Sequence, residues 1–111
     1  MEARMYAITF DMDTETLERS YPAASYNNAY TDIAKILQKH GFQRQQGSVY
    51  FGNSSVTAVS CVVAVQELAI AFSWFAPSVR DIRMLRIEEY NDLMPAINRI
   101  QDMQRGNQPS R

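Results

Sequence analysis

Four residues in this sequence are able to act on a phosphate or carboxylate group: Asp11, Ser48, Arg80 and Asp81, with Arg44, Gln46 and Arg83 as further polar candidates. A carboxylate can accept a proton, and a guanidinium fork binds phosphate or carboxylate through two parallel hydrogen bonds. Arginine outnumbers lysine nine to two, which suits such recognition. Each residue also has an ordinary explanation. Asp11 could cap a helical turn at Thr14 to Leu17, Arg80 and Asp81 could form a surface ion pair, and Ser48 could simply open a strand. A functional reading therefore depends on whether the fold brings them together.

Other chemistry is excluded by composition. The chain has one His, His40, and one Cys, Cys61. These cannot build a zinc finger, an iron–sulfur site, a disulfide scaffold or a convincing Cys/His nucleophile. His40 lies where a helix should end, so it reads as a complement to the helix dipole, and Cys61 reads as a small buried apolar residue. The 11 basic and 12 acidic residues, with a net charge of −1 and a pI near 5.7, argue against attachment to nucleic acid or membrane through bulk positive charge. A local basic site remains compatible with that balance. At 111 residues the chain suits one domain with its own core, expected over residues 1–105, with 106–111 as a polar tail.

The elements that must position the candidates follow from periodicity. Met5 to Phe10 reads as a short interior strand ended by Asp11 and Asp13. Thr14 to Ser20 suits a helical turn or a loop. A helix should run from Pro22, with Tyr26, Tyr30, Ile33, Ala34 and Leu37 on one face and Gly41 past its end. Phe42 to Gln46 and Ser48 to Phe51 read as strands around Gly47. Val56 to Phe75 contains five Val residues, but its length favours a helix over a strand. Between Gln45 and Val79 the only charge is Glu67, yet Ser60, Gln66, Glu67 and Ser73 interrupt the apolar run, so a buried core helix is expected rather than a membrane span. Trp74 and Phe75 are expected in the core or at a dimer contact, and Pro77 to end the helix. Val79 to Ile87 reads as a strand. A short last helix, capped by Asn91 or Asp92, should carry Leu93, Ile97, Ile100 and Met103 on one side.

The order β, α, β, β, α, β predicts an α+β ferredoxin-like domain, with two helices on an antiparallel sheet of strand order 4-1-3-2. In that topology the first strand runs antiparallel to both neighbours. Its end, at Asp11, should therefore meet the beginnings of strands three and four, where Ser48, Arg80 and Asp81 lie. Arg44, Gln46 and Gly47 should lie at the same end.

These segments resemble a known family. Met5-Tyr6-Ala7-Ile8-Thr9-Phe10-Asp11, Ala29-Tyr30-Thr31-Asp32-Ile33, Gly41-Phe42, Gln46-Gly47-Ser48-Val49-Tyr50 and Ser78-Val79-Arg80-Asp81-Ile82-Arg83 are similar, in order and spacing, to the virulence-associated protein D (VapD) family. The resemblance spans about Met5 to Asn98. It implies a small bacterial endoribonuclease related in fold to the second CRISPR-associated protein, a homodimer, and often the toxin of a pair with a protein antitoxin. It makes Asp11 the leading catalytic residue, with Ser48 and Asp81 at further site positions. Arg44, Gln46, Arg80 and Arg83 are expected to contact RNA. Glu2 to Arg4 and the segment from Asn98 onward depart from the family pattern.

Two routes to RNA cleavage then stand open. Two copies of Asp11 brought together by a dimer could hold a magnesium ion that activates water, or one carboxyl could exchange protons with the ribose 2′-hydroxyl. The first leaves 5′-phosphate ends and the second a 2′,3′-cyclic phosphate. A dimeric adaptor that binds nucleic acid or protein without catalysis is the alternative. Low cysteine usage and the absence of a signal-peptide pattern suit the cytoplasm.

Overall fold

The computed structural model describes residues 5–106. The elements are β1 (Met5–Met12), α1 (Thr14–Ser20), α2 (Asn28–Lys39), β2 (Phe42–Gln46), β3 (Val49–Gly52), α3 (Ala58–Ala71), α4 (Phe75–Ser78), β4 (Val79–Ile87) and α5 (Met94–Gly106). The four strands form one antiparallel sheet in the order β2-β3-β1-β4, the expected ferredoxin-like order read from the other edge.

Alternation in β1 divides the sheet into two faces. Tyr6, Ile8, Phe10 and Met12 point toward the helices and join Leu17, Ile33, Leu37, Phe42, Tyr50 and Leu68 in the core. Met5, Ala7, Thr9 and Asp11 point the other way. By register, Val49 and Phe51 of β3 and Asp81, Arg83 and Leu85 of β4 share that open face. One apolar face and one open face is a usual arrangement for an antiparallel sheet.

The turns require glycine at two places. Gly41 follows the last turn of α2 at φ +94, and Gly47 sits between β2 and β3 at φ +53; both are left-handed conformations that cost other residues a Cβ clash. Thr57 opens α3 by accepting from the Ser60 N–H, while the Ser60 hydroxyl accepts from Thr57 N–H.

Several element boundaries differ from expectation. The helix expected from Pro22 begins at Asn28, because a preceding turn closes through Asn28 N–H to the Ser25 carbonyl and Ala29 N–H to the Tyr26 carbonyl. The long helix expected over Val56 to Phe75 is α3 plus a separate turn, α4. Between them the chain leaves helical geometry at Phe72, whose ring stacks on Trp74 with centroids 4.7 Å apart, while Tyr21 meets Trp74 edge-on at 5.1 Å. Trp74 and Phe75 are both buried, in accord with a core role. Pro77 lies inside α4 rather than ending a helix; the first turn of a helix tolerates proline because its N–H groups have no intrahelical partner.

α3 also departs from the expected buried core helix. Cys61, Ala64 and Leu68 are buried, but Val59, Val62, Val63 and Ile70 face outward and are exposed. Its one charged residue, Glu67, is held by the end of α2: Lys39 pairs with Oε2, and His40 Nε2 lies 2.6 Å from Oε1. His40 thus ties two helices together besides standing at the C-terminus of α2.

The hydrogen bonds from Lys39 and then His40 hold the Glu67 carboxyl below its ordinary value. A depressed carboxylate pKa contributes stability above the unfolded value, and that stability disappears as pH falls through the folded value. Glu67→Gln is therefore expected to lower the thermal midpoint at neutral pH, with the gap from wild type narrowing as acid protonates the carboxyl. A gap that persists unchanged in acid would show that the pair is not its source.

Among the described residues, none of α5 is buried. Asp92 caps it, accepting from the Met94 N–H at 2.9 Å. Gly106, expected in the tail, is its last residue, and 107–111 lie outside the described residues. The radius of gyration is 19.1 Å, against about 13 Å for a compact chain of this size. Among the described residues no helix is long and apolar enough to cross a membrane.

Candidate active site

The open face ends in a charged cluster. Asp11 of β1 lies directly opposite Asp81 of β4, so the two carboxylates project from the same face. Like charges in that position repel, and each is offset by an arginine. Arg83 Nε lies 3.0 and 3.2 Å from the two oxygens of Asp81, which it reaches because residues two apart in a strand share a face. Arg80 NH1 lies 3.7 Å from Asp11 Oδ2.

Arg80 reaches Asp11 through an irregularity in pairing. Asp11 pairs with Asp81 but Met12 pairs with Val79, so Arg80 is the extra residue of a β-bulge. A bulge re-aims a side chain that strict alternation would send to the opposite face from Arg83. From this position Arg80 also meets Asp13, with NH2 3.5 Å from Oδ1.

Asp13 is the residue that sequence reasoning missed. It, rather than Asp11, is the N-cap of α1, although its side chain makes no capping bond to the helix backbone. Instead it accepts from the Thr16 hydroxyl at 2.6 Å, and its N–H donates to the Ser78 carbonyl at 2.7 Å. The Thr16 bond, followed by Arg80, holds its carboxyl below the ordinary range despite opposing desolvation. The sequence signal was the Asp13-Thr14-Glu15-Thr16 run, which matches an acidic residue at a helix start. Asp11 is thereby free of the capping role.

Tyr30 of α2 lies within electrostatic reach of the same site. Burial first, then Tyr26 and the charge of Asp11, raise its hydroxyl above the ordinary tyrosine value, so it is protonated at neutral pH.

The remaining candidates occupy the same end of the sheet with different surroundings. Ser48 precedes β3, and its carbonyl accepts from the Phe10 N–H at 3.2 Å, fastening the turn beside Asp11. Gln46 pairs with Val49 at the β2 edge. Arg44 lies opposite Tyr50, on the helix side of the sheet, and its Nε donates to the Gly47 carbonyl at 2.8 Å. Asp11, Asp13, Arg80, Asp81 and Arg83 therefore form one group, whereas Arg44 is occupied in holding its own turn.

The donor set bears on magnesium. A hard cation of that kind takes six oxygens in octahedral order, usually one or two carboxylates with several waters and substrate phosphates. Among the described residues no three of His, Cys, Asp and Glu gather as a ligand group, and Asp11 and Asp81 each face a guanidinium. Within one chain a magnesium ion at Asp11 would have to displace Arg80 and take its remaining oxygens from water, a substrate phosphate or a second copy.

The arrangement joins exposed carboxylates to arginines at an open sheet end, suited to moving a proton beside a bound phosphate. The family described as CRISPR associated protein Cas2 matches residues 4–94. An endoribonuclease VapD homolog of Helicobacter pylori is 54% identical over 93 residues, covering 84% of this chain and 96% of the relative. Endoribonuclease VapD 2 of Riemerella anatipestifer is 48% identical over 94 residues, 85% of this chain and all of the relative. The endoribonuclease VapD of Dichelobacter nodosus is 41% identical over 88 residues, covering 79% and 91%. A shared family match and near-complete coverage at this identity leave one assignment: the chain belongs to the Cas2 family, among its VapD endoribonucleases.

Proposed function

We propose that this protein is an endoribonuclease that cleaves RNA at the Asp11 end of the sheet without a resident metal. The observation that carries the site assignment is the cross-strand pairing of Asp11 with Asp81 under the bulged Arg80. Asp11 accepts the proton of a ribose 2′-hydroxyl, whose oxygen attacks the adjacent phosphorus. Arg80 and Arg83 offset the charge that builds on the phosphorane oxygens. The 5′-oxygen leaves with a proton, and the upstream fragment ends in a 2′,3′-cyclic phosphate.

The active form in this reading is a homodimer joined through the open sheet faces. Leu85 is exposed there, Met5 and Val49 are half-buried, and Phe51 is half-buried against Tyr90 of the same chain, so apolar residues run along the face up to the Asp11 cluster. A two-fold axis parallel to the strands would keep the two Asp11 ends together. It would let Asp11 of the partner subunit supply the leaving group's proton.

Incubation of purified protein with end-labelled single-stranded RNA, with and without EDTA, tests the reaction. Cleavage that survives EDTA and leaves cyclic phosphate ends is expected. Complete loss in EDTA, or 5′-phosphate ends, would overturn the metal-free route, and binding without cleavage would favour an adaptor. The role as the toxin of a toxin–antitoxin pair rests on the family resemblance. Growth arrest on expression, relieved by a neighbouring reading frame, tests it.

A further inference from the structure

One guanidinium serves two carboxylates at the open end of the sheet, and the two are held very differently. The Asp11 side chain is 61% exposed, and among the described residues Arg80 is its one ion-pair partner. Asp13 is fixed through three of its atoms. Its N–H donates to the carbonyl of fully buried Ser78, two residues before Arg80, and its carbonyl accepts from the Leu17 N–H at 2.9 Å. The Thr16 hydroxyl donates to its Oδ2 at 2.6 Å, while Oδ1 faces Arg80 NH2. α1 starts without a side-chain cap from this carboxylate, so the charge is not needed to begin the helix.

Both contacts of Arg80 are long. NH1 stands 3.7 Å from Asp11 Oδ2 and NH2 3.5 Å from Asp13 Oδ1, against about 2.7–2.9 Å for a well-formed charge-assisted bond. A guanidinium with a single carboxylate in reach closes on it as a two-bond fork. With a carboxylate on each side it is drawn both ways and closes on neither. The difference bears on chemistry, because an arginine clamped to a carboxylate favours its charged form and so weakens it as a proton acceptor. The same clamp occupies N–H groups that would otherwise meet a phosphate. The bulge by itself gives no such separation, since it is what brings Arg80 to Asp11.

We propose that Asp13 is a positioning residue that draws Arg80 off Asp11, leaving Asp11 free to accept a proton and the guanidinium open to an RNA phosphate. The inference rests on the reading of Asp11 as proton acceptor and adds the device that keeps it available. Thr16 and the anchored backbone make Asp13 the fixed end of the pull, and the long, exposed Arg80 side chain is the part that moves. The Thr16 bond first, against desolvation, and then Arg80 keep the Asp13 carboxyl charged through the neutral range.

The test is single-turnover cleavage of end-labelled single-stranded RNA by full-length chains, with circular dichroism confirming that each is folded. Asp13→Asn keeps the shape and an acceptor for Thr16 but removes the charge, so Arg80 closes on Asp11 and the rate falls about tenfold. In an Arg80→Ala background the same substitution should change the rate by less than about twofold, because no guanidinium remains to be positioned. Equal losses in both backgrounds would show a merely structural role and overturn the proposal.

The pH profile is a second readout. Asp11 faces Asp81, Arg80 and the Arg83 held by Asp81 on β4, with Tyr30 of α2 in electrostatic reach. Once Arg80 has closed on it, Asp11 keeps its charge to lower pH, so the acid limb of the rate profile should move down in Asp13→Asn. A limb that stays in place or moves up counts against the proposal. Wild-type rate in Asp13→Asn, with activity lost in Asp11→Asn and Arg80→Ala, would remove the role of Asp13 and leave the site standing. Full rate in Asp11→Asn, or no cleavage by the wild-type chain, would overturn both.

Discussion

Replacing Asp11 with Asn is expected to lower the rate of RNA cleavage by about 10²- to 10⁴-fold, the range for losing a positioned proton acceptor. The amide has nearly the same shape, so the loss would reflect chemistry rather than packing. Asp11 supports little structure: its side chain is 61% exposed, and its contact with Arg80 is a surface ion pair. Removing one of two carboxylates that face each other across β1 and β4 also relieves repulsion. The variant should therefore keep its thermal midpoint within a few degrees and its sedimentation behaviour unchanged. Single-turnover cleavage of labelled RNA by the folded variant at the wild-type rate would remove Asp11 from the reaction.

The second large effect belongs to Arg80. Arg80→Ala should cost about 10²- to 10³-fold in single-turnover rate, the range for removing one preorganised donor to a developing oxyanion. Its bulged position turns the guanidinium toward both Asp11 and Asp13, and neither contact is short, at 3.7 and 3.5 Å. The group remains accessible to a phosphate. Arg83 is held more tightly, by both oxygens of Asp81, so Arg83→Ala should have the smaller effect. Arg80→Lys should restore only part of the rate, because an ammonium lacks the planar fork that serves two partners at once. Equal losses for Arg80→Ala and Arg83→Ala would show that the bulge does not set their roles.

A near-zero net charge agrees with this site. The open end of the sheet holds the carboxylates of Asp11, Asp13 and Asp81 against the guanidiniums of Arg80 and Arg83, so RNA would be held by individual arginine contacts and not by a positive local field. Binding should weaken as salt rises, with a shallow slope set by a few phosphate contacts.

How far the amino-acid order alone determines this arrangement is clear from particular residues. The alternation of Met5 to Phe10, the helical spacing up to Leu37, and Gly41 and Gly47 specify element types, because side-chain period and φ preference are local properties. The sequence of element types and the rules of chain connection then place Asp11 beside Asp81 and Ser48, and the sheet does so. The bulge that turns Arg80 toward Asp11 and Asp13, the division of the long apolar segment at Phe72 by its contact with Trp74, and the bond of His40 to Glu67 were decided only by tertiary structure. Each depends on groups that meet across distant parts of the chain. The same holds for α3 and α5: periodicity marks both as apolar, but packing decides which sides the chain covers and which it leaves open.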